Sequence, residues 1–295
     1  GKNHDDFFYY HFPYILALTE YAHPIGLGNL NHGFKTHSSI FLLSSLFHLP
    51  GAKYNLFHLG PVYILIFCNY IILRIIFDKE VQKKYNFITY LSLSSLVFIN
   101  IFFSRLGEHG TDRSAMILII TLVINILYFI NQNKKKIDDN YLKFFTIIFT
   151  IIVSLKAFYL IYIIIFIPLV LHVYIKTKSF KLFFNMNLLY CLTLFGFVLL
   201  TNLLNTGCIL FPEKKTCFFE LPWALSADTV EYLSIHYENW AKAGSGAGYS
   251  LADSDKMDYI SNLNWLSNWV DKYFFNKISD LIYSLFFISL IFILI

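Results

Sequence analysis

The stretch Ser114-Ala-Met-Ile-Leu-Ile-Ile-Thr-Leu-Val-Ile-Asn-Ile-Leu-Tyr-Phe-Ile130 carries no charge, and it lies between Asp112-Arg113 and Asn131-Gln-Asn-Lys134-Lys-Lys136. An apolar run bounded in this way is the pattern of a helix that crosses a bilayer, because about 20 helical residues at about 1.5 Å each span about 30 Å of hydrocarbon. Similar runs extend from His58 to Phe77, Phe87 to Phe103, Leu142 to Leu155, Ala157 to Ile175, Leu188 to Leu204 and Ser279 to the end. The sequence therefore predicts an all-α, polytopic transmembrane bundle. Composition agrees: 57% of the 295 residues are hydrophobic and 14% are charged, with 32 Phe and 21 Tyr, which is too apolar for a soluble domain of this size.

Two segments, Phe7 to Ala22 and Ser38 to Leu49, are apolar but brief and carry His11, Glu20 and His48. They read as helices lying at the membrane interface or re-entering from it. The run from Leu142 is short and meets Lys156 with almost no loop, which predicts a tight hairpin or a single broken helix turning at Lys156. Four regions result: residues 1–57, a first loop with interfacial helices; 58–204, the transmembrane core; 205–278, a long polar loop; and 279–295, a truncated last span. The chain opens at Gly1 without Met and stops at Ile295 inside an apolar run, so it reads as a fragment with at least one upstream span missing.

Basic residues set the orientation. Lys79, Lys83 and Lys84, then Lys134, Lys135 and Lys136, then Lys176, Lys178 and Lys181 occupy three alternate loops, which are expected in the cytoplasm. Residues 1–57, the linker Ser104–Arg113, the Lys156 turn and the loop from Asn205 to Lys277 then share the extracytoplasmic face of a bacterial inner membrane. The net charge of +4 is small and dispersed, so lipids are expected partners and nucleic acid is not.

The four cysteines divide accordingly. Cys68 and Cys191 sit inside apolar runs and read as inert core thiols. Cys208 and Cys217 bracket eight residues on the expected outer side, where an oxidising compartment favours a disulfide; two free loop thiols are the alternative.

Several polar patches carry candidate chemistry. Asp5 and Asp6 precede an aromatic segment containing His11, and a carboxylate beside a low-dielectric slab can gain the basicity of a general base. Helix capping is the plainer use, and adjacent side chains allow both. The loop Pro24-Ile-Gly26-Leu-Gly28-Asn29 to His37-Ser38-Ser39 lacks phosphate-loop spacing. It reads as a turn with a capped helix at His37 to Ser39, with Asn29 or His37 as candidate head-group ligands. The linker Arg105-Leu-Gly-Glu108-His109-Gly110-Thr-Asp112-Arg113 places an acid, an imidazole and a second acid close enough for acid–base work or a divalent metal, flanked by two arginines. Solvated helix caps are the structural alternative. Lys156, alone between apolar runs, either snorkels or meets a lipid phosphate. Trp223, Trp240, Trp265 and Trp269 read as interfacial anchors, with stacking on a sugar ring as a second use.

In their order, these features resemble the polytopic glycosyltransferases of the GT-C architecture. The nearer likeness is to bacterial membrane proteins with an Asp-x-x-x-Tyr-His stretch (Asp6 to His11), a Gly-Leu-Gly-Asn loop leading to Ser-Ser (Gly26 to Asn29, Ser38-Ser39), and a Gly-Cys-x-x-x-Pro followed by Pro-Trp (Gly207 to Pro212, Pro222-Trp223). The resemblance implies transfer of a sugar from a polyprenyl-phosphate donor to an extracytoplasmic glycan, lipid or protein. By position, it makes Asp5 or Asp6 the general base and gives Glu108 or Asp112 the task of orienting acceptor or metal. Lys156, helped by Arg105 or Arg113, would meet the departing phosphate, with His11, Asn29, His37 and His109 as further substrate contacts. Two rivals differ in kind. A polysaccharide polymerase is expected to use arginines in large outer loops, yet none lies between Asn205 and Lys277. A transporter or flippase is expected to show more Gly or Pro breaks within spans than Pro168 and Gly196.

Overall fold

The computed structural model describes residues 6–22, 25–52, 54–102, 111–132, 138–184, 186–243 and 256–294, and it forms helices and no extended strand among them. A π-helical turn, Phe7–His11, runs straight into α1 (Phe12–Glu20), and α2 (Ser39–Ser45) packs back on α1. The bundle follows with α3 (Leu59–Ile76), a short α4 (Lys79–Lys84), α5 (Asn86–Phe102), α6 (Thr111–Asn131), α7 (Asp139–Leu155), α8 (Phe166–Thr177) and α9 (Met186–Thr206). Beyond it lie α10 (Ala227–Lys242), two short helices, α11 (Lys256–Ile260) and α12 (Leu266–Trp269), and α13 (Ser279–Leu294).

The described residues of the seven apolar runs are helical over most of their length, but the runs are not equal as spans. Among the described residues, four helices are long and apolar enough to cross a membrane: Tyr54–Ile76, Thr111–Asn131, Ala157–Thr177 and Asn187–Thr206. A bent pair, Leu266–Phe275 with Ser279–Ile291, gives a fifth if it is counted as one. Helices α5 and α7 have 17 residues each, about 25 Å of rise, which falls short of a full hydrocarbon slab. This architecture is that of a multi-pass membrane protein.

Helix α6 is the axis of the bundle and packs on α3, α5 and α7. Its buried face comes from Ile117, Leu118, Leu122 and Ile124. Two polar residues on it bond within the helix: Thr121 Oγ1 donates to Ile117 O (2.9 Å) and Asn125 Nδ2 to Thr121 O (2.7 Å). In a low-dielectric core, such internal satisfaction avoids the cost of a bare polar atom.

The two ends of the bundle differ. At one, Tyr128 at the close of α6 donates to Asp78 Oδ2 (2.8 Å) after α3, and Phe129 meets the His172 ring of α8 at 5.9 Å. This end carries Lys79, Lys83 and Lys84 of α4 and Lys176 of α8. The other end gathers α1, α2, Asp112, Lys156 and the chain leaving α9. The turn at Lys156 takes the hairpin form: the residue is extended (φ −159°, ψ 118°), and Phe149 of α7 packs on Phe166 at 5.1 Å. The return strand of that hairpin begins as nine residues of 3-10 helix, Ala157–Ile165, whose steeper rise of about 2 Å per residue carries the chain about 18 Å.

Capping differs from the expectation in two places. Asp78 accepts from Glu80 N and Val81 N, and Asp138 from Asn140 N, so these acids cap α4 and α7. Asp6 and Ser38 occupy cap positions without a side-chain cap bond. Asp6 is already helical (φ −63°), and Ser38 is buried in the packing beneath α2.

Candidate functional site

The end of the bundle away from the lysine loops brings three of the sequence candidates together. Asp112 stands in the first turn of α6, where a negative charge complements the helix dipole. Its Oδ1 lies 2.6 Å from Lys156 Nζ, and both side chains are about half exposed, 49% and 47%. Partial exposure limits such a pair to roughly 1 kcal/mol of stability, so little holds the lysine there against a competing anion. Tyr159, three residues beyond Lys156, directs its hydroxyl at the Asp112 carbonyl (3.4 Å).

Asp6 joins them through Tyr10. Burial pushes the Tyr10 phenol well above its usual range, and the nearby charges of Asp6 and Asp112, then Tyr237, push it further. Tyr10 is thus an O–H donor at any physiological pH, within electrostatic reach of both carboxylates. Its ring is held by edge contacts to His11 (4.3 Å) and Phe41 (6.5 Å), and Gly33 lies flat against it. A Cβ at residue 33 would fall inside that ring, which fixes glycine there.

A second row continues from Tyr10. Tyr237 of α10 bonds through its hydroxyl to His32 Nε2 (3.2 Å), and His236 meets His32 edge-on at 6.3 Å. Burial, then Lys35 and His236, lower the His32 pKa below the ordinary imidazole value, so this ring is neutral at pH 7 and can accept a proton. Tyr232 stacks on His236 at 5.9 Å, with its own face exposed. Tyr232, His236 and Trp240 stand four residues apart, an aromatic stripe along α10.

Other candidates are occupied in holding the fold. Asn29 Nδ2 donates to Trp223 O (2.8 Å), and His37 Nδ1 pairs with Tyr14 OH (3.2 Å), which also accepts from the fully buried Asn205 Nδ2 (3.1 Å). Burial raises the Tyr14 phenol to about 12. His11 is buried against Phe41 (5.4 Å) instead of facing a cleft. The glycine loop is a packing device: Gly28 abuts the end of α9 so closely that a Cβ would sit 2.6 Å from Asn205 O. Gly26 and Asn29 both meet Trp223, so the stretches Gly26 to Asn29 and Gly207 to Trp223, far apart in sequence, clasp each other. Cys208 and Cys217 form a disulfide within this clasp, Cα to Cα 3.9 Å. Arg113 follows Asp112 in α6 and is half-buried. Asp5, Arg105, Glu108 and His109 lie outside the described residues.

A family model described as a domain of unknown function, DUF8201, matches residues 1–295. The chain belongs to that family. No curated protein and no solved structure matches the DUF8201 chain.

No group of three His, Cys, Asp or Glu side chains among the described residues of the DUF8201 chain is arranged to hold a metal ion, and Asp112 is engaged by Lys156. Sequence reasoning gave no role to Tyr10, His32, His236 or Tyr237. The spacing of Tyr232, His236 and Trp240 is the signal that could have placed them on one face of a helix. Nothing in the sequence linked that face to His32, which is 205 residues from Tyr237.

Proposed function

We propose that the DUF8201 chain is an integral-membrane glycosyltransferase of the GT-C type, moving a sugar from a polyprenyl-phosphate donor to an acceptor hydroxyl on the extracytoplasmic face of a bacterial inner membrane. The observation that carries this reading is the Asp112–Lys156 pair, 2.6 Å apart and half exposed, at the same end of the helices as Asp6 and Tyr10. The positive-inside pattern assigns that end to the outside.

In this reaction the acceptor oxygen bonds to the sugar C1 as the C1–O bond to phosphate breaks. The acceptor proton passes to a carboxylate, Asp6 or Asp112, and the negative charge left on the lipid phosphate needs a cation. Lys156 supplies it, and its move from Asp112 to the phosphate frees the Asp112 carboxylate for the acceptor. The protonated Tyr10 phenol lies within electrostatic reach of both acids and is available as a donor to the substrate, Arg113 stands one residue from Asp112, and the α10 aromatic stripe offers a face for a sugar ring.

The test is transfer of radiolabelled sugar from a panel of polyprenyl-phosphate sugars in membranes bearing the protein. Asp112→Asn and Lys156→Met are expected to lower transfer about 100-fold or more, the scale of a lost general base or charge stabiliser. Wild-type rates in both variants would overturn the site. Movement of lipid-linked sugar across the membrane without transfer would overturn the reaction and favour a flippase.

A further inference from the structure

A second polar feature lies at the opposite end of the bundle, where α3, α6 and α7 close around a cavity of about 270 Å³. This is below the usual range for drug-sized ligands, about 300–1,000 Å³, and points to a small group instead of a whole nucleotide-sugar. Its polar lining includes Arg74, Asp78, Asn125, Asp138, Asn140 and Tyr141. Ile71, Ile75 and Phe144 make an apolar wall that continues into the helices.

The charges in this cavity are unequally committed. Asp78 gives Oδ1 to the α4 cap and Oδ2 to Tyr128 OH (2.8 Å). Asp138 gives Oδ1 to Asn140 N (2.9 Å), and its other oxygen has no hydrogen-bond or ion-pair partner among the described residues. Arg74, exposed in the last turn of α3, makes no ion pair or hydrogen bond with any described residue, although it lines the same cavity as both acids. A guanidinium and a carboxylate that share a small cavity without pairing leave room for a ligand carrying both charges. An anion alone would meet Asp138, and a cation alone would meet Arg74.

We propose that this cavity binds the zwitterionic head group of a phospholipid, phosphatidylethanolamine, with phosphate on Arg74 and ammonium on Asp138. The guanidinium fork suits phosphate oxygens, and the amide donors of Asn125 and Asn140 stand in the same lining. A lipid is favoured over a free zwitterion because Ile71, Ile75 and Phe144 make one wall of the cavity apolar, and Ile71 and Ile75 belong to a helix long and apolar enough to cross a membrane. This site is independent of the transfer reaction and lies at the other end of the helices.

The test is native mass spectrometry of the full chain in detergent, titrated with phosphatidylethanolamine, phosphatidylglycerol or free O-phosphoethanolamine. Phosphatidylethanolamine should be retained preferentially by the wild type, and Arg74→Ala should weaken retention about tenfold, the effect of losing one charge-assisted contact. Arg74→Lys keeps the charge without the fork and should fall between them. Asp138→Asn keeps a capping side chain and should remove the preference for phosphatidylethanolamine over phosphatidylglycerol. Equal retention of the two lipids by the wild type, or unchanged phosphatidylethanolamine retention in correctly folded Arg74→Ala, would overturn the proposal. Displacement of the lipid by free O-phosphoethanolamine at equal concentration would overturn the lipid as occupant.

Discussion

Gly33 and Tyr10 show how tightly one end of this molecule is built. The glycine backbone lies against the phenol ring, so Gly33→Ala must push Tyr10 away from Asp6 and Asp112 or move its own loop. Overpacking of this kind costs about 1–3 kcal/mol. Gly33→Ala should therefore lower the thermal midpoint in detergent, and Tyr10→Phe, which keeps the ring, should not; equal midpoints for wild type and Gly33→Ala would refute the packing account. At this scale the sequence was only partly legible. Asp112 and Lys156 were identified because charges beside apolar runs stand out, and the shared side of their loops argued for proximity. Asn29 and His37 stood out as polar residues of a glycine-rich loop, yet their side chains are bonded to Trp223 and Tyr14. A polar residue in a glycine-rich loop looks the same in sequence whether it meets a ligand or another loop nearly 200 residues away.

Among the elements, the apolar runs were legible because a helix in hydrocarbon must satisfy its backbone internally and show uncharged side chains along its length. Length was the harder property. Helices α5 and α7 end after 17 residues, with Asp138 capping one end of α7 and Lys156 breaking the other, so local chemistry fixed boundaries that hydropathy left loose. The clasp between residues 26–29 and 207–223 was not legible at all as a contact, since each half reads as an ordinary turn. Its disulfide closes a short loop, nine residues apart in sequence. A crosslink of this span stabilises by about 2–3 kcal/mol through the entropy of the unfolded chain. Reduction, or paired Cys208→Ser and Cys217→Ser, should lower the thermal midpoint accordingly, and an unchanged midpoint would show that the clasp holds without it.

Across the whole molecule, the helices connect two chemically different ends. One carries lysine loops and a small cavity with both signs of charge; the other carries Asp6, Tyr10, Asp112, Lys156 and the His32–Tyr237 row. The all-helical, multi-pass architecture followed from the length and spacing of the apolar runs, whereas the meeting of these residues required chain reversals that no local pattern encodes. The central claim is that Lys156 leaves Asp112 to hold the phosphate of a lipid-linked sugar. The most direct test is the affinity of purified wild type, Lys156→Met and Asp112→Asn for a polyprenyl-phosphate sugar, measured separately from transfer. Lys156→Met should bind about tenfold more weakly, for loss of one charge-assisted contact. Asp112→Asn should bind at least as tightly as wild type, because its lysine no longer has a competing partner. Equal weakening in both variants, or no change in Lys156→Met, would contradict the account.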